Sequence, residues 1–66
     1  MPKWIATAVG LMHIHKIKQS ELAHKLGVTR EYVTMILNNK VSPQNIKERV
    51  MTAIYELIEE KKNEKS

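Results

Sequence analysis

Twenty residues around the middle of the chain, Gln19 to Asn38 (QSELAHKLGVTREYVTMILN), leave it little choice of fold. Leu22, Ala23 and Leu26 recur at helical spacing, so Gln19 to Leu26 carries one apolar stripe and turns Ser20, Glu21, His24 and Lys25 toward water. The segment is an amphipathic helix of about two turns. Gly27 follows at once, where a chain leaving a helix in the left-handed conformation meets no Cβ penalty. Val28 plugs the turn, and Thr29 offers a side-chain oxygen to the free N–H groups of a second helix, Arg30 to Asn38. Val33, Ile36 and Leu37 form its buried stripe, with Arg30, Glu31, Thr34 and Met35 on the other face. Helices this short, joined by so few residues, must cross steeply, and their backbones approach closely only over a small side chain. Ala23 is that side chain.

The series Gln19, Ala23, Gly27, Val33 and Ile36 resembles the helix-turn-helix of the lambda-repressor-like and Cro-like (XRE-type) DNA-binding family. The likeness is strong over this unit and weaker over the flanking helices. It implies an all-α fold, a small four-helix domain with a long C-terminal helix, that binds double-stranded DNA sequence-specifically as a transcriptional regulator. It also places base-reading residues at Arg30, Glu31 and Met35, with Thr29 and Tyr32 nearby. The chemistry agrees in part. Arg30 can pair with O6 and N7 of guanine, Glu31 can accept from the amino group of cytosine, and Met35 can meet a thymine methyl. The alternative for Arg30 and Glu31 is a solvated charge pair, with Glu31 favouring the helix N-terminus. Contacts to the phosphate backbone would come from Lys18 and Gln19 at the start of the second helix, and from Asn38 and Lys40 past the reading helix.

The flanks read as two further helices. Pro2 suits a helix start, and Lys3 to His15 is apolar nearly all round through Trp4, Ile5, Ala8, Val9, Leu11, Met12 and Ile14. Such a helix needs cover from the rest of the domain and from either the last helix or another subunit. Ile17 is placed to staple the start of the second helix. Asn38, Asn39 and Lys40 stop the third helix, because Asn tolerates the left-handed conformation. Ser42 and Pro43 then signal a fourth helix over 43–62, striped by Ile46, Val50, Ala53, Ile54, Leu57 and Ile58. A single domain over 1–62 is expected, with a polar tail at 63–66 and fraying from Glu59 onward.

Composition bounds the function. At 66 residues the chain can bury only about 60% of its unfolded surface, so a second subunit would add appreciably to its stability. The net charge is +4, but residues 1–50 hold eight Lys or Arg against three Glu, whereas residues 51–66 hold three Lys against four Glu. A basic first portion and a neutral end suit a protein that sets one side on a polyanion. Without cysteine there is neither a disulfide nor a thiolate metal site, and no apolar run reaches the roughly 18 residues of a membrane span. A cytoplasmic protein, nucleoid-associated in a bacterial or phage-infected host, is expected, with no membrane partner. His13 and His15 are two apart and point to nearly opposite sides of a helix, so no metal is expected. Nor does the sequence contain a phosphate-cradling Gly loop or a nucleophile with its base, which argues against an enzyme and against any cofactor.

The resemblance suggests a homodimeric regulator similar to the Cro and repressor proteins of phages and mobile elements, because one reading helix touches few bases and two held about 34 Å apart read a palindrome. The final helix and the outer face of the first are the expected interface. Other readings are an antitoxin or restriction-system controller, with a toxin or antirepressor as protein partner, and a protein-interaction module that binds no DNA.

Two positions depart from the family pattern. Lys18 stands where many relatives have a capping Thr, Ser or Asn, which weakens the second helix by about 1 kcal/mol unless a lysine is wanted beside a phosphate. Met12 and Leu37 stand where many relatives pair an arginine with a glutamate, so apolar packing is expected to replace an ion pair there. A double-mutant cycle on Met12→Ala and Leu37→Ala should then show losses of stability that are smaller together than their sum. Strict additivity would mean that the two side chains do not touch.

Overall fold

The apolar stripes read above converge on one core. In the computed structural model, which describes residues 2–64, the chain forms α1 (Lys3–Ile14), α2 (Gln19–Leu26), α3 (Arg30–Leu37) and α4 (Ile46–Glu64). No strand occurs among these residues. The helix α2 packs on α3 and on α4, and α1 packs on α4, so the long last helix carries α1 and α2, and α3 is held through α2. Leu22, Ala23, Val33, Ile36 and Leu37 are buried together with Ile5, Ala8 and Met12 of α1, Ile17, and the expected stripe of α4. Among the described residues no polar or charged side chain is buried, so the core carries no desolvation cost that needs a partner. Met12 and Leu37 are both buried in this core. No helix here is long and apolar enough to cross a membrane.

Three of the helices end in the same way. After α1, Ile17 N–H donates to the Met12 carbonyl at 2.8 Å and Lys16 N–H to His13 at 3.3 Å. After α2, Val28 donates to Ala23 at 3.0 Å and Gly27 to His24 at 3.2 Å; after α3, Lys40 donates to Met35 at 2.9 Å and Asn39 to Ile36 at 3.0 Å. This paired closure satisfies carbonyls that a helix end leaves open, and it needs one left-handed residue. That residue is Lys16 (φ 56°), Gly27 (φ 75°) and Asn39 (φ 59°) in turn. Gly27 and the Asn38–Asn39 stop were legible in the sequence. Lys16 was not, since nothing in a lysine side chain favours that conformation. The buried Ile17 and half-buried Val28, each just past the left-handed residue, supply the apolar contact that holds the first two turns shut.

The start of α4 corrects the sequence reading. Ser42 is not its cap and Pro43 is not in its first turn: the helix begins at Ile46. Pro43 instead opens a turn in which its carbonyl accepts from Ile46 N–H at 3.2 Å, with Asn45 left-handed at φ 62°. A left-handed residue cannot lie inside a right-handed helix, so the regular bonds start only at the Asn45 carbonyl, which accepts from Arg49 N–H at 3.1 Å. At its other end α4 is helical to Glu64, two residues past the expected limit, so the tail expected over 63–66 is helical at Asn63 and Glu64. The rest of that tail, Lys65 and Ser66, lies outside the described residues.

A methyl group added at Gly27 would meet no heavy atom within 4 Å, so its conformation alone sets the cost of replacement. Gly27→Ala should lower the unfolding free energy by about 1 kcal/mol in urea titrations, and Gly27→Asn by less. An unchanged stability in Gly27→Ala would mean that the turn does not hold this residue left-handed.

Candidate nucleic-acid interface

The geometry of the α2–α3 unit begins at Thr29. Its Oγ1 accepts from Tyr32 N–H at 3.1 Å, the capping bond expected at the start of α3. With Val33, Ile36 and Leu37 turned into the core, the remaining face of α3 must point outward. Thr29, Arg30 and Glu31 are exposed, Met35 is 37% exposed, and Tyr32 is half-buried with its ring against the core. Thr29, Arg30 and Glu31 therefore stand exposed at the start of α3, and Met35 lies exposed one turn beyond Glu31, while the Tyr32 ring packs against the core. Arg30 and Glu31 form no ion pair among the described residues, with each other or with anything else, so both heads remain available to a ligand.

At the start of α2 the missing side-chain cap is partly made good. Lys18 gives no capping bond from its side chain, but Glu21 Oε1 accepts the Lys18 backbone N–H at 2.8 Å. Glu21 stands in the third helical position, where an acidic side chain can reach back in this way, and that much was readable from the sequence. Its second partner was not: Glu21 Oε2 is 3.1 Å from Lys61 Nζ on α4. Glu21, expected to face water, is thus half-buried between two elements. Gln19 was also expected on the surface and is exposed, but its Oε1 accepts from Thr34 Oγ1 on α3 at 2.6 Å. These two residues are fifteen apart, and only the crossing of α2 over α3 brings them together. No local pattern could have announced it.

The charges divide by location. Lys25 pairs with Glu60, Lys61 with Glu21 and Lys62 with Glu59, all on α4 or between α4 and α2. The Glu60 carboxylate beside Lys25 raises the affinity of its ammonium for the proton. Arg49 reaches the Leu26 carbonyl at the end of α2. Lys18, Arg30 and Lys40, by contrast, are exposed and take part in no ion pair among the described residues. Asn38 and Lys40 sit on the closing turn of α3, at the far end of the helix from Arg30. Lys18, Arg30 and Lys40 flank the exposed face of α3, while Lys3, Lys16, Lys47 and Arg49, likewise exposed and outside any ion pair among the described residues, lie elsewhere on the surface. Among the described residues no group of three or more His, Asp or Glu is arranged so that it could hold a metal ion.

A helix-turn-helix family model matches residues 15–47, half of the chain. The chain belongs to the XRE-type, lambda-repressor-like helix-turn-helix family, whose members are DNA-binding regulators. The matched segment takes in α2, α3 and both flanking turns, so the family assignment and the exposed basic face fall on the same residues. Comparison with curated proteins and with solved structures gave no match.

The Lys18 backbone N–H, and after it Lys61, holds the Glu21 carboxyl below the usual glutamate range. A carboxyl with a depressed folded-state pKa stabilises the fold fully above its unfolded value of about 4.3, and that contribution disappears as pH falls through the lower folded value. Glu21→Gln should therefore be less stable than the wild type near pH 6, with the gap closing as the pH is taken to about 3. Urea titrations at the two pH values check it, and a constant gap would mean that Glu21 acts by shape rather than by charge.

Proposed function

We propose that this protein binds double-stranded DNA sequence-specifically as a small dimeric transcriptional regulator, with α3 lying in the major groove. The observation that carries this reading is Arg30: the first residue of α3, exposed at the open end of a helix locked into the core, and without an ion pair among the described residues. Its guanidinium is the side chain best suited to the paired acceptors of guanine. Glu31 and Met35 read neighbouring positions, Thr29 and Tyr32 border them, and Lys18, Gln19, Asn38 and Lys40 hold the phosphates on either side. The role resembles that of phage Cro and repressor proteins, acting in the cytoplasm. An antitoxin or controller would use the same surface on DNA.

Dimerisation is supported by the seam between α1 and α4. Lys3, Trp4 and Thr7 line a shallow cleft with Lys47 and Met51, so the two helices run side by side from their first turns. Ile14 is 71% exposed and Tyr55 54%, and Trp4, Leu11 and Met51 are only half-buried, which leaves apolar surface on both helices for a second copy to cover.

Selection of bound duplexes from a random pool should return a palindrome, and Arg30→Gln should change its half-site. Recovery of the same half-site would remove Arg30 from the reading. For a dimer presenting Lys18, Arg30 and Lys40 twice, log affinity should fall with log salt with a slope of about −4 to −5. A slope near zero would contradict the phosphate contacts, and a monomer at micromolar concentration in sedimentation would contradict the dimer alone.

A further inference from the structure

The bond between Thr34 and Gln19 joins the two helices of the unit outside its apolar core, and its chemistry is one-sided. Thr34 Oγ1 lies 2.6 Å from Gln19 Oε1 and 3.1 Å from the Arg30 carbonyl one turn earlier in α3. A threonine hydroxyl has one proton to give, and in a helix its default acceptor is that carbonyl four residues back. Giving the proton to Gln19 instead fixes which end of the amide faces α3. With Oε1 held by the hydroxyl, the Nε2 group and its two N–H donors turn away from α3, at the start of α2 and beside Lys18.

Resting on the DNA-binding reading above, we infer that Thr34 is a positioning residue, which holds the Gln19 amide with its N–H groups outward to receive a backbone phosphate of the duplex. In the opposite arrangement Thr34 gives its proton to Arg30 and accepts from Nε2, and the amide then presents a carbonyl oxygen that repels a phosphate. Thr34 thereby couples the phosphate clamp on α2 to the helix that carries Arg30, without touching a base itself. Its loss weakens binding to all sequences alike, because a phosphate contact carries no sequence information.

The test uses the full chain and the duplex recovered by selection, together with an unrelated duplex. Thr34→Val keeps the shape and removes the hydroxyl, and should weaken binding to both duplexes by about tenfold. Thr34→Ser should restore binding to within about twofold. In a Gln19→Ala background, Thr34→Val should cost nothing more. The side-chain amide resonances of Gln19 should shift on adding duplex to the wild type and stay in place with Thr34→Val, a readout independent of any change in stability. Additive losses in the double variant, failure of Ser to rescue, or a loss confined to the selected duplex would each overturn the inference while leaving DNA binding intact. If the wild type binds no duplex at all, the DNA-binding reading fails and this inference fails with it.

Discussion

The packing of α2 on α3 is the constraint from which the other features follow. It exists because Ala23 lets two short helices approach closely and because Gly27 turns the chain left-handed immediately after the first of them. Burial of Leu22, Val33 and Ile36 then makes the arrangement favourable, each fully covered side chain contributing about 1.5–3 kcal/mol relative to exposure. Once Val33, Ile36 and Leu37 are committed to the core, the helical period turns Glu31 and Met35 outward, and Arg30 is exposed as the first residue at the open end of α3. The exposed face is thus a consequence of the buried one.

Around that unit the charged side chains do two different jobs. Lysines that meet glutamates lie where α4 runs beside α2, and such partly exposed pairs contribute little individually, about 0–1 kcal/mol. Of the exposed cations outside any ion pair among the described residues, Lys18, Arg30 and Lys40 flank α3, and Lys3, Lys16, Lys47 and Arg49 lie on α1, its closing turn and α4. A polyanion approaching α3 meets Lys18, Arg30 and Lys40 unpaired, whereas the lysines of the last turns of α4 are already paired with glutamates.

Much of this was legible in the sequence because it rests on period and on residues with special backbone freedom. The stripes gave four helices and their buried faces, Gly27 and the Asn38–Asn39 stop gave two of the turns, and Thr29 gave the cap of α3. What escaped depends on tertiary neighbours. Lys16 and Asn45 are left-handed because the chain must turn onto packing surfaces, and Pro43 belongs to the second of those turns rather than to a helix. Likewise Glu21 meets Lys61 forty residues away, and Gln19 meets Thr34 across the crossing. A sequence states which side chains can bond but not which distant ones they will find.

The central claim is that α3 and the start of α2 form one surface for a duplex, with the α1–α4 seam kept apart from it. Titration of the isotopically labelled protein with a duplex recovered by selection, followed residue by residue through the backbone amide resonances, tests this most directly. The account predicts that the largest shifts fall on Thr29 to Met35, Lys18, Gln19 and Asn38 to Lys40. Shifts confined to the outer surface of α4 or to α1, with α3 unmoved, would contradict it.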